Sequence, residues 1–244
     1  MLRVLILTDS SSSVAKRPSI VGWKTFGHPG ATRLLTKSFE ANRLAHAYLI
    51  TGPEKVGKRT LALDMACMVN AEPVADMFGQ SSDIDLSTSH QAERIRAGIH
   101  SDVEVIDPAT ELPASPERKA VSKTTISIDH IRQIVISGAA TKPFEGMKKV
   151  FILDGAHRMV REAETSLLKI LEEPPEKSIF FLISHRVGGL LDTIKSRSRQ
   201  LDFKPLASAP LEQIIAHHLP ETAPESSAAA AFLADGSAHM ALTL

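Results

Sequence analysis

A glycine-rich turn between a strand-like and a helix-like segment constrains this chain more than any other feature. Gly52 and Gly57 bracket four residues and Lys58 follows directly, which is the Gly-x4-Gly-Lys spacing of loops whose backbone N–H groups surround polyphosphate. The apolar run 47–51 before the turn predicts a buried strand, and the run 60–69 after it predicts a helix whose N-terminus would face the anion. The alternative is a chance glycine-rich turn. The order of strand, loop and helix favours a nucleotide site.

Two replacements at this predicted site remove groups that ATP hydrolysis uses. Arg59 stands where a Ser or Thr hydroxyl normally holds Mg²⁺. Thr60 comes one residue late, about 100° further round a helix. The segment 148–154 is a charged lead followed by an apolar strand that ends in Asp154, the form of the strand that presents a carboxylate to Mg²⁺. Gly155 follows, where a water-activating glutamate would stand. The predicted, degenerate nucleotide site consists of Gly52, Gly57, Lys58, Arg59, Thr60 and Asp154.

Composition excludes several classes of protein. The 28 basic residues balance the 28 acidic ones, which argues against a protein that coats nucleic acid on its own. Cys67 is the single cysteine, so no intrachain disulfide framework is possible and a reducing compartment is expected. No apolar run approaches the length of about 18 residues that suggests a membrane span. We expect a cytoplasmic protein with no membrane partner.

Buried strands alternate with helices along the chain. This order predicts an α/β fold with a central parallel sheet and helices on both faces. Strands are predicted at 47–51, 103–106, 148–154 and 179–184, and helices at 31–45, 60–69, 127–136 and 161–173. The stretches 71–91 and 108–123 are predicted to be irregular. The predicted domains are a mobile tail at 1–20, a main domain at 21–203 and a small helical module at 204–244.

Four patches of sequence point to a known family. They are Trp23 with Gly27-His28, Leu44–Pro53, Leu167–Pro175 and Thr193–Phe203. In this order they resemble the δ′ subunit family of the bacterial replicative clamp loader (DNA polymerase III), within the AAA+ class. The resemblance implies a P-loop NTPase domain followed by a small α-helical lid domain. It also implies partners: the tau/gamma and delta subunits in a hetero-pentamer and, through that complex, the sliding clamp and primer-template DNA.

The resemblance assigns a role to Arg197. Members of the family resemble motor subunits that have lost ATP turnover and act as a rigid stator. The arginine of their Ser-Arg-Cys motif reaches into the ATP site of the neighbouring subunit. Here the motif residues are Ser196 and Arg197, with Ser198 in place of the cysteine. The alternative is a surface arginine that caps a helix or pairs with Asp202.

The chain departs from the family at three places. The four zinc-binding cysteines of the family would fall at Ala71, Leu86, Ser89 and Ala92, so zinc is not expected. Met240 stands where a nucleotide-sensing arginine would be, so binding of ATP and Mg²⁺ is expected to be weak at most. The sequence ends at Leu244, where the lid should finish, so we expect the C-terminal collar domain of the family to be absent. Either the chain is a fragment, or it joins its ring without a collar.

Three functions remain open from the sequence. The favoured one is a non-hydrolysing clamp-loader subunit that donates an arginine finger. The second is an active, DNA-stimulated ATPase of the tau/gamma type, in which Thr60 and a remote acid replace the lost groups. The third is a truncated paralogue that serves only in protein interactions.

Overall fold

The computed structural model describes residues 19–72, 83–112 and 124–244. The strands are β1 (Ile20–Val21), β2 (Ala47–Thr51), β3 (Ile84–Asp85), β4 (Val103–Ile106), β5 (Lys149–Asp154), β6 (Ser178–Ser184) and β7 (Arg199–Asp202). The helices are α1 (Pro29–Glu40), α2 (Lys58–Asn70), α3 (His90–Arg96), α4 (Ile128–His130), α5 (Ser137–Ala139), α6 (Arg161–Glu172), α7 (Asp192–Arg197), α8 (Ser208–His218), α9 (Pro224–Leu233) and α10 (Ala238–Ala241). A π-helical segment, Ile131–Ile136, joins α4 to α5.

Five strands form the central sheet in the order β4-β5-β6-β2-β7, and every neighbouring pair is parallel. Leu49 of β2 lies beside Leu182 of β6 on one side and Gln200 of β7 on the other. All residues of β2 and β6 are buried, as expected for parallel strands covered on both faces by helices. The predicted α/β fold with a central parallel sheet is confirmed.

Side chains of β2 alternate between two hydrophobic clusters, one on each face of the sheet. Tyr48 and Ile50 pack in the cluster that contains α1 and α2, whereas Ala47 and Leu49 pack in the cluster that contains α6 and α7. This alternation follows from the period of two along a strand. Because both faces of the sheet are buried, the edge formed by the carboxyl ends of the strands is left for a site.

Local chemistry sets the helix boundaries. The predicted helix 31–45 ends early, at Glu40, because Asn42 takes a left-handed φ of 50°, which an α-helix cannot continue. The N–H of Ala45 then donates to the Tyr48 hydroxyl at 3.0 Å. By contrast, α6 ends at Glu172, next to the position predicted from the prolines that follow.

Three short elements lie where the sequence predicted irregular chain or a tail. Strand β3 and the first turns of α3 fall within or next to 71–91. Ile20, assigned to the mobile tail, pairs in parallel with Ile84. A strand of two residues is too short to show a periodic pattern that could be recognised in the sequence. Residues 1–18 of the predicted tail and 113–123 of the predicted loop lie outside the described residues.

The last three helices pack around a third, smaller cluster. Leu206, Leu211 and Ile215 form its centre, and Phe26 from the N-terminal part of the chain packs against it. The backbone N–H of Ala238 donates to Lys55 O at 3.0 Å, so α10 contacts the glycine-rich loop. The boundary between two domains at residue 204 stays a prediction. Within the described parts of the chain, no helix is long and apolar enough to cross a membrane.

Candidate functional site

The glycine-rich loop joins β2 to α2 and is held by close backbone packing. Gly52 has φ +131°, and a Cβ atom there would lie 2.1 Å from the carbonyl oxygen of Phe203. The N–H of Phe203 donates to Thr51 O at 2.8 Å. His28 stacks on the Phe203 ring with 3.8 Å between ring centroids, and its Nε2 is 3.0 Å from Val56 O. The loop is therefore shaped by residues before and after it in the chain.

Lys58 begins α2 and is buried. Its Nζ donates to Gly52 O at 2.9 Å and also to Pro53 O. Burial lowers the Lys58 pKa, and the carboxylates of Asp154 and Glu54 oppose this shift. The ammonium therefore lies under the loop, at the N-terminus of a helix of 13 residues, where backbone N–H groups and the helix dipole favour an anion.

Arg59 lies against the carboxylate that was predicted to bind metal. Its Nη1 is 3.3 Å from Asp154 Oδ2 and 3.9 Å from Asp107 Oδ2. Asp154 ends β5 and Asp107 directly follows β4, so two neighbouring parallel strands deliver their carboxylates to the same point. The predicted site residues Lys58, Arg59 and Asp154 do come together, and they line the same cleft.

Thr60 and Gly155 are the two remaining positions at which this cleft can be compared with an ATP-hydrolysing P-loop site. Thr60 lines the cleft one helix position beyond Arg59. Gly155 has φ +91°, a backbone conformation that strains a residue with a side chain. Its N–H donates to Ile183 O at 3.1 Å. A glutamate at position 155 would therefore require this turn to change.

The cleft has a volume of about 650 Å³ and includes residues that the sequence analysis missed. His185 Nδ1 is 3.1 Å from Glu54 Oε1, and the ring centroids of His157 and His185 are 3.9 Å apart. Burial, together with the positive charges nearby, lowers the pKa of His157 to about 4, so this imidazole is neutral at pH 7. No motif marks these histidines, because they follow different strands and meet only in the folded chain.

The short helix α10 brings lid residues to the cleft. Met240 was expected at the nucleotide-sensing position, but its side chain is not among those that line the cleft in the described structure. His239, one residue earlier on α10, lines the cleft together with Ala238 and Leu242. The assignment of position 240 as the nucleotide-sensing position stays a prediction.

Arg197 lies apart from the cleft, at the end of α7. Its Nη2 is 2.8 Å from Glu172 Oε1, and its Nη1 donates to Thr193 O at 3.1 Å. The partner is thus Glu172 and not Asp202, which accepts a hydrogen bond from Thr51 Oγ1. About a third of the Arg197 side chain is exposed. Ser196 is exposed, and its hydroxyl also donates to Thr193 O, at 3.0 Å.

The positions of the lost zinc ligands are mostly apolar and packed. Ala71, Leu86 and Ala92 are buried in the same cluster as Cys67, and Ser89 caps α3 by accepting from Ala92 N. Burial raises the pKa of the Cys67 thiol to about 12. Among residues 19–72, 83–112 and 124–244, no three His, Cys, Asp or Glu side chains are grouped so that they could hold a metal ion.

Comparison with known proteins identifies relatives by sequence. A family model described as "DNA polymerase III, delta subunit" matches residues 27–207. The chain is 31% identical over 199 residues to DNA polymerase III subunit delta' of Bacillus subtilis, covering 79% of this chain and 53% of that relative. It is 34% identical over 185 residues to the subunit delta' of Pseudomonas aeruginosa, covering 75% and 50%. The chain thus spans about half the length of these curated relatives.

A solved structure of similar fold is the Thermotoga maritima RuvB Holliday junction branch migration motor. The TM-score is 0.56 at 16% identity, with 89% of this chain and 60% of that chain covered. At this identity the likeness shows the fold alone.

Replacing Gly52 with alanine tests the close approach that shapes the loop. Gly52→Ala places a Cβ against the carbonyl of Phe203 at a strained φ, so we expect the free energy of unfolding to fall by at least about 1–3 kcal/mol. The matched control is Gly30→Ala in α1, where a Cβ meets nothing within 4 Å and where we expect no loss. Urea unfolding of both variants gives the comparison, and equal stabilities would show that the loop adjusts freely.

Proposed function

The chain belongs to the DNA polymerase III delta-subunit family, and we propose that it works as a δ′-type subunit of a replicative clamp loader. In this role it is a largely non-hydrolysing stator. Its contribution to catalysis is Arg197, which reaches the ATP site of a neighbouring subunit. The proposed partners are the tau/gamma and delta subunits in a hetero-pentamer and, through it, the sliding clamp and primer-template DNA. The proposed location is the cytoplasm.

The ion pair between Arg59 and Asp154 carries the non-hydrolysing part of the proposal. P-loop NTPases use the carboxylate at this strand end, with a hydroxyl from the loop, to hold the Mg²⁺ that bridges the phosphates. In this chain a guanidinium lies 3.3 Å from that carboxylate. Thr60, which an active ATPase would need as a replacement, lies one helix position beyond Arg59. The left-handed turn at Gly155 also disfavours a glutamate there.

We expect the purified chain to hydrolyse ATP at no measurable rate, with or without primed DNA, because Arg59 replaces the hydroxyl that helps to hold the metal and Gly155 replaces the acid that orients water. The measurement is phosphate release at saturating ATP. Lys58→Ala is the control for contaminating ATPase. DNA-stimulated turnover that Lys58→Ala abolishes would instead favour the active ATPase of the tau/gamma type.

Exposure and chemistry support Arg197 as the finger. The guanidinium is a permanently charged planar fork that matches phosphate oxygens, and it ends a short helix with about a third of its surface exposed. It does not line the cleft of its own chain. A residue with this placement can meet the ATP site of a second subunit that lies against α7.

The test of the finger is Arg197→Ala in the reconstituted clamp loader. The variant should fold normally, because an exposed ion pair contributes at most about 1 kcal/mol. Removing a trans arginine finger can cost about 10³–10⁵ in rate at the site that it serves, so ATPase and clamp loading by the complex should fall. Arg197→Lys should be nearly as harmful, since an ammonium cannot form the planar fork.

Arg199→Ala is the matched control, two residues away in β7 and exposed. We expect it to leave clamp loading unchanged. Equal loading by the Arg197→Ala and wild-type complexes would remove the finger role. Failure of the wild-type chain to co-assemble with the other subunits would instead favour the interaction-only paralogue.

A further inference from the structure

The positive charge of Arg59 lies beside two carboxylates at the edge of the cleft. Its guanidinium lies between the carboxylates of Asp154 and Asp107, at 3.3 and 3.9 Å. These two carboxylates are the oxygen donors that the ends of β4 and β5 bring to the cleft. Half of the Arg59 side chain is exposed, so the guanidinium faces both the carboxylates and the open side of the cleft.

A divalent metal does not fit these residues. Mg²⁺ needs oxygen ligands in octahedral order at about 2.1 Å, and Arg59 has five N–H donors and no acceptor. Arg59 therefore puts a positive charge where a metal ligand would stand. Its guanidinium also pairs with Asp154, the carboxylate that could still bind a metal. A metal at Asp154 would have to displace this ion pair and would then lie beside a fixed cation.

The balance of charges in the cleft also argues against a bound divalent metal. Four cationic side chains and three carboxylates line the cleft, counting histidines as neutral: Lys55, Lys58, Arg59 and Arg158 against Glu54, Asp107 and Asp154. Arg59 thus supplies the excess positive charge. Without it the two signs would balance, and a polyphosphate would depend on an added cation for neutralisation.

We propose that Arg59 is a built-in replacement for the divalent metal, so that this loop binds nucleotide polyphosphate without Mg²⁺ and does not gain affinity from it. The loop amides, Lys58 and the guanidinium together face the anion. Binding is weaker than micromolar, because the cleft also presents three carboxylates. The inference rests on the nucleotide-site part of the proposed function and is independent of Arg197.

Titration of the full chain with ATP tests this inference. Calorimetry in excess EDTA and in excess Mg²⁺ should give dissociation constants within about twofold of each other. Arg59→Thr restores a hydroxyl and frees Asp154, so its affinity for ATP should rise at least tenfold when Mg²⁺ is added. The matched control is Arg33→Thr, an exposed arginine of α1 that does not line the cleft, and it should behave like wild type.

Three outcomes would overturn the inference. They are a tenfold or greater gain from Mg²⁺ in the wild-type chain, no saturable binding of ATP by that chain in either buffer, or an Arg59→Thr variant that remains insensitive to Mg²⁺. Each is measured on the isolated chain. The finger role is measured only in the assembled complex, so either idea can fail without the other.

A separate contact supports a second inference, which rests on the proposed finger role. Glu172 ends α6 and contacts Arg197 Nη2 at 2.8 Å, while Thr193 O accepts from Nη1 at 3.1 Å. The guanidinium is therefore held by two partners, and about a third of the side chain is exposed. Pro174 prevents α6 from continuing and so helps to place Glu172. We infer that Glu172 is a positioning residue that orients the finger before the neighbour's phosphate arrives.

Substitutions of Glu172 in the reconstituted complex test this role. Misplacing a catalytic group by about 1 Å can cost about 10²-fold, so Glu172→Ala should lower kcat for ATP by at least tenfold at the site that Arg197 serves, with KM little changed. Glu172→Gln, which keeps an acceptor oxygen, should restore part of the rate. The adjacent Glu173→Ala is the control and should leave both constants unchanged.

The coupling between the two residues separates positioning from a structural role. If Glu172 acts through Arg197, adding Glu172→Ala to Arg197→Ala should cause no further loss. Additive losses, or a Glu172→Ala complex with normal kcat, would overturn the inference while leaving the finger intact. A harmless Arg197→Ala would instead remove the finger role, and the positioning role with it.

Discussion

The central strands β2 and β6 are covered on both faces of the parallel sheet. The rest of the structure depends on this constraint. Helices cover both faces, so the carboxyl ends of the strands are where loops can present polar groups. The glycine-rich loop, Asp107 and Asp154 all lie at this edge. The close approach of Gly52 to Phe203 then ties the loop to the segment that leads into the last helices.

The electrostatics of this edge are set by an ion pair between Arg59 and Asp154. The loop, Lys58 and the N-terminus of α2 have the arrangement predicted for a phosphate site, but the cation beside Asp154 is an arginine of the chain itself. An arginine cannot leave, exchange or bind water as a metal does.

Elements with a periodic apolar pattern or a terminating proline could be predicted from the sequence. Very short strands and contacts between residues far apart in the chain could not. The strand 47–51 and the end of α6 before Pro174 follow from local patterns, and the structure has both. The pairing of β1 with β3 involves two residues in each strand, which is too short for any pattern. The predicted helix through Ala45 was wrong at its end because Asn42 turns the chain.

The sequence by itself predicted a phosphate-type loop with Arg59 in the place of the metal hydroxyl, and it determined which family the chain resembles. These are matters of residue type and spacing along a local stretch. Only the tertiary structure decided the partners of the two arginines. Arg59 and Asp154 are 95 residues apart in sequence, and Arg197 meets Glu172 rather than Asp202. Which side chains meet depends on where separate strands and helices end, and spacing within one segment does not encode this.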